Sequence, residues 1–144
     1  MSKQTGEFSE FEKAAMKQRA KELKADAKTI NKREQGEASV QEAIAAMTKT
    51  DRDMAGRIHK IVTDTAPVLL PKTWYGMPAY ANTDGKVICF FQGAEKFDAR
   101  YASLGFNDAA LLDDGNMWPT SFALTKITAA EEKIIKELVK KAVG

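Results

Sequence analysis

The chain has 144 residues, 44% of them hydrophobic and 29% charged, with a formal net charge of +2. That is enough chain for one domain burying roughly 70% of its unfolded surface, and too apolar a composition for intrinsic disorder. One cysteine, Cys89, excludes an internal disulfide, and no apolar stretch approaches the ~20 residues that cross a bilayer.

Met1 to Phe11 holds no apolar signal-peptide segment, so secretion is not expected. From Phe8 to Arg33 the chain lacks Gly and Pro and is rich in helix formers, which predicts a long helix. Lys13, Lys17, Lys21, Lys24, Lys28 and Lys32 fall in one sector about 100° wide at helical spacing. Phe8, Ala15, Met16, Leu23, Ala27 and Ile30 lie mostly opposite, so the helix is amphipathic with a basic stripe. Residues 13–33 carry eight Lys/Arg against only Glu22 and Asp26, whereas residues 38–144 hold equal numbers of each sign. Any preference for a polyanion, a nucleic acid or an acidic protein therefore resides in a 1–37 extension, with Lys17, Lys21, Lys24 and Lys28 as its contacts. The opposite, Ala-rich face suits packing on the domain or on a second chain, including a homodimer.

Gly36 is expected to interrupt this helix, and Ser39 with Glu42 reads as a capping box opening a short second one. A third helix follows from Thr50 or Asp51, burying Met54, Ile58, Ile61 and Val62, and ends before Pro67. His59 is expected on the polar face of that helix.

Aromatic and β-branched residues then replace helical periodicity. Strands are predicted at Thr73–Tyr75 and Ala79–Ala81, with an Asp84-Gly85 turn leading to Lys86–Gln92. Alternation at Phe97, Ala99 and Tyr101 predicts another strand, as it does at Trp118, Thr120, Phe122 and Leu124. A short helix is expected at Asp108–Leu112. Thr128 and Glu131 form a capping box before a last helix with one apolar face: Ile134, Ile135, Leu138, Val139, Ala142 and Val143. The expected fold is α+β, an antiparallel sheet of four to five strands packed against helices, occupying residues 38–144.

The run Trp74-Tyr75-Gly76-Met77-Pro78-Ala79-Tyr80, the apolar strand Val87–Phe91 and a strand ending in Gly105-Phe106 resemble the YdhG-like domain-of-unknown-function family, family 1801. The resemblance spans roughly residues 40–143 and leaves out the N-terminal helix. It implies a compact α+β fold, and some members carry a frataxin-like iron-chaperone label, which makes iron the one cofactor it suggests.

The chemistry on offer is narrow. There is no nucleophile elbow and no phosphate-binding glycine loop, so binding is expected over catalysis. A lone His59 and a lone Cys89 fall short of a zinc or tight iron ligand set. Asp108, Asp113 and Asp114 beside Gly115-Asn116 offer a weak oxygen site for a metal, or a solvated turn. Tyr75, Met77, Tyr80, Tyr101 and Trp118, with Arg100, form either a small-molecule site or core packing between sheet and helices. The leading expectation is a cytoplasmic, non-enzymatic binding protein holding a small ligand or a weakly held metal near Tyr75–Tyr80. The alternative is an interaction module acting through the basic helix.

Overall fold

In the computed structural model the described residues are 10–144, and between positions 10 and 30 only the side chains of Lys13, Met16, Lys17 and Ala20 are described. The expected helix start at Phe8 lies outside them. Among the described residues three helices, α1 (Glu10–Ala45), α2 (Lys49–Thr65) and α3 (Ala129–Val143), accompany five strands. The strands are β1 (Leu70–Trp74), β2 (Met77–Ala81), β3 (Val87–Gln92), β4 (Ala102–Phe106) and β5 (Ser121–Leu124). They form one antiparallel meander in the order β1-β2-β3-β4-β5, so the fold is α+β. The described residues divide into two units between Glu34 and Gln35.

Within Gln35–Gly144 most of the apolar positions predicted for α2 and α3 are buried. The apolar stripe of α2 buries Met54, Ile58, Ile61 and Val62, and the helix ends one residue before the Ala66-Pro67 step. The Thr128 side chain accepts from the Ala130 amide while Glu131 Oε1 accepts from the Thr128 amide at 2.7 Å, closing the capping box of α3. Ile135, Val139 and Ala142 are buried beneath that helix, whereas Ile134 is exposed.

Gly36 does not break the helix, and the Ser39–Glu42 pair opens no new one, because α1 continues to Ala45. The reason lies in packing: a Cβ on Gly36 would stand 1.9 Å from the Pro71 carbonyl oxygen of β1. Glycine is there for close approach of a helix to a strand, at a propensity cost of about 1 kcal/mol that the surrounding helix absorbs.

Two further expectations are corrected. The segment predicted as a strand at Phe97–Tyr101 is a turn, and the strand begins at Ala102. Here Asp98 takes a left-handed φ of 51°, its amide donates to the Glu95 carbonyl, and the Ala99 amide donates to the Ala94 carbonyl. The fully buried Asp51 carboxylate at the start of α2 holds this turn, accepting the Ala94 and Glu95 amides at 3.1 and 3.0 Å. At Asp108–Leu112 there is a hydrogen-bonded turn in place of a helix, with the Ala110 amide donating to the Asn107 carbonyl.

Register fixes which face each strand residue shares. Tyr80 pairs with Cys89, Cys89 with Phe106, Phe91 with Leu104 and Leu104 with Phe122, and these belong to the core that packs with α2 and α3. Trp74, Met77, Ala79, Phe90 and Gly105 share the opposite face. There the Phe90 ring lies so close over Gly105 that a Cβ would come within 2.3 Å of it. Among the described residues no helix is long and apolar enough to cross a membrane.

Candidate functional site

The β1–β2 hairpin divides its residues between two environments. Trp74 pairs with Met77 across the two-residue turn Tyr75-Gly76, whose φ angles are 50° and 76°. Both central residues are left-handed, the pattern of a type I′ turn, which matches strand twist and ordinarily takes Asn-Gly. Tyrosine at such a φ is strained, and this residue is 81% exposed. Its ring stands edge-on against Trp74 at 4.9 Å between centroids, and Trp74 in turn packs on Phe90 at 5.0 Å. A strained turn thus presents a large aromatic side chain to solvent on a rigid aromatic base.

The β3–β4 connection lies at the same end of the meander. Lys96 donates from Nζ to the Gly76 carbonyl at 3.1 Å, tying this connection to the hairpin turn. Arg100 sits over the Tyr101 ring at 5.2 Å and Lys96 near the Phe97 ring at 5.7 Å. Phe97, Arg100 and Tyr101 are exposed. Through Asp51, α2 fixes the backbone from which these side chains project, so the rim of two aromatic–cation pairs and Tyr75 rests on a built turn.

Tyr80 faces the other way. It is 1% exposed, and its hydroxyl lies 2.8 Å from His59 Nδ1. His59 Nε2 meets both Glu37 carboxylate oxygens at 3.0 and 2.8 Å. An ionised carboxylate has no proton and a phenol has one, so a proton on Nε2 and a lone pair on Nδ1 match both partners at once. Tyr80 donates to Nδ1, and Nε2–H donates to Glu37. Burial, assisted by the neighbouring Cys89 thiol and the Glu37 charge, pushes the Tyr80 phenol well above its ordinary value near 10. Burial also raises the Cys89 thiol, to about 12, which keeps it an inert thiol. Burial opposes ionisation of Glu37, yet the Gln41 side-chain hydrogen bond and the His59 contact prevail, leaving its carboxyl below the ordinary value of 4.5.

The expected polar-face placement of His59 is therefore corrected: the residue is 9% exposed and belongs to the core stripe. The signal was present in the spacing. Asp51, Ala55, Ile58, His59 and Val62 recur at intervals of three and four, so both buried polar residues of α2 fall in its apolar phase.

The aromatic residues singled out in the sequence do not form one pocket. Tyr75, Arg100 and Tyr101 gather at one end of the sheet, Met77 is buried on the Trp74–Phe90 face, and Tyr80 is enclosed against α2. Trp118 belongs to the β4–β5 connection at the opposite end, half-buried in a cleft of about 370 Å³ with Phe106, Leu112, Asp108 and Asp113. Asp114 is exposed and does not line that cleft. Among the described residues no three His, Cys, Asp or Glu side chains converge to hold a metal ion. Lys17 is exposed, while the side chains of Lys21, Lys24 and Lys28 lie outside those described.

No protein-family model, no curated protein and no solved structure matches this chain.

Proposed function

We propose that the chain is a non-enzymatic binding protein whose ligand is a small anionic molecule with a flat ring, taken up on the rim formed by Tyr75, Lys96, Arg100 and Tyr101. One observation carries this reading: a tyrosine held at a left-handed turn position with most of its surface in solvent. Strain of that kind is retained where it serves a purpose, and the nearby cations supply charge-assisted hydrogen bonds to an anion. Membership of the YdhG-like family, resting on the Trp74–Tyr80 run, and a cytoplasmic location, resting on a single buried thiol, belong to the same proposal. A bound iron ion is the weaker version, since the described carboxylates do not converge.

The test is an amide NMR titration with adenosine monophosphate, with inorganic phosphate and adenosine as partial probes. Saturable shifts at Tyr75–Met77 and Lys96–Tyr101, lost in Arg100→Gln and in Tyr75→Gly, support the reading. Absence of saturable shifts in those two segments sinks it. Binding that instead maps to α1 and falls steeply with salt would favour the alternative, polyanion contact through the basic helix whose Lys17 and Lys32 are exposed.

A further inference from the structure

We infer that a second copy of this chain docks through the outer edge of β5 and the adjoining side of α3, forming a two-fold dimer with a continuous ten-stranded sheet. β5 is an edge strand. The Phe106 amide donates to the Thr120 carbonyl, and the register continues without a shift through Leu104↔Phe122 and Ala102↔Leu124. In an antiparallel ladder hydrogen-bonded pairs alternate, so the Phe122 and Leu124 backbones point to β4 while those of Ser121 and Ala123 point outward. Edge strands are ordinarily blunted by Pro, Lys or a bulge, and Ser121–Leu124 carries none of these. Two copies paired antiparallel about Phe122 set Ser121 opposite Ala123 twice and satisfy all their outward amides and carbonyls.

The helix beside this edge is self-complementary in the same sense. A groove of about 180 Å³ separates β5 from α3, with Phe122 and Leu124 on one wall and Ile134 and Leu138 on the other. Glu131, Ile134, Leu138 and Lys141 form one stripe at helical spacing, with Ile134 53% exposed. In an antiparallel pair of α3 helices centred on Lys136, Glu131 faces Lys141 of the other copy and Ile134 faces Leu138. The acidic first turn thereby meets the basic last turn twice, and the groove closes over apolar side chains. Phe122, the centre of the strand pairing, lies across the groove from Ile134 and Leu138, so one two-fold axis serves both elements.

The test on the full chain is light scattering after size exclusion, with sedimentation over a wide concentration range. The expected mass is twice 15.9 kDa. Ala123→Pro removes only an outward amide, and Ile134→Glu places charge at an exposed position, so each yields a folded monomer with unchanged circular dichroism. Lys141→Glu weakens self-association by about tenfold, because two equivalent ion pairs reverse together. Should Ala123→Pro disturb folding, Ile134→Glu carries the test alone. A wild-type chain that stays monomeric throughout, or a dimer indifferent to Ile134→Glu, overturns the proposal.

Discussion

His59 Nδ1 and the Tyr80 hydroxyl meet 2.8 Å apart inside the core, joining α2 to the second strand of the sheet through a bond that spans 21 residues of sequence. The same imidazole reaches Glu37 on the C-terminal part of α1, so one ring ties three elements together. Removing the phenolic oxygen leaves a buried ring nitrogen without its partner. Tyr80→Phe is therefore expected to lower unfolding free energy by about 1–3 kcal/mol, despite a small gain in apolarity. Urea denaturation with an unchanged slope checks it, and a loss near zero shows that the site rehydrates.

Glu37 makes the outer end of this chain pH-dependent. Its carboxyl is held below its ordinary value of 4.5 in the folded state, so it binds fewer protons folded than unfolded as pH falls. Its contribution is present above the unfolded value and lost as pH drops through the folded one. Glu37→Gln should thus be less stable than wild type near neutrality, with the difference shrinking below pH 4.5. Denaturant midpoints measured from neutral to acid pH test the sign; a gap that widens in acid contradicts the assignment.

Two glycines within helices should respond in opposite directions to alanine. A Cβ on Gly56 in α2 would have no atom within 4 Å, so Gly56→Ala gains about 1 kcal/mol of helix propensity. Gly36→Ala has the same propensity gain available, but its Cβ meets the Pro71 carbonyl oxygen at 1.9 Å. Displacing backbone in a packed region costs about 1–3 kcal/mol or more, so strain wins and the variant is destabilised. Thermal midpoints of the two variants, measured side by side, should move apart.

Tyr75 offers the clearest opposition between stability and binding. Its φ of 50° disfavours any side chain with a Cβ, and the exposed ring buries little in return. Tyr75→Gly is expected to stabilise the domain by about 1 kcal/mol while removing the aromatic part of the rim. Calorimetry reads the first effect and the nucleotide titration the second. A fall in thermal midpoint would mean that the Trp74 contact outweighs the backbone strain.

Much of the architecture follows from patterns a few residues long. The apolar phases of α2 and α3, the Thr128–Glu131 capping box and the Asp84-Gly85 reversal depend on helical periodicity, a local side-chain hydrogen bond and a left-handed glycine, and each appears where the sequence places it. What the sequence by itself determined is therefore the α+β class and those elements whose signals are complete within a few residues, chiefly α2, α3 and the central strands. Tertiary structure decided the rest, because it depends on which distant group arrives opposite. Gly36 reads as a helix end until Pro71 is seen against it, and the Phe97–Tyr101 alternation reads as a strand until Asp51 captures the preceding amides. Tyr75, Tyr80 and Trp118 read as one aromatic cluster until the meander sends them to one end, the core and the other end of the sheet. Local propensities of about a kilocalorie per mole are outvoted wherever a buried hydrogen bond or a steric contact of several times that size is at stake.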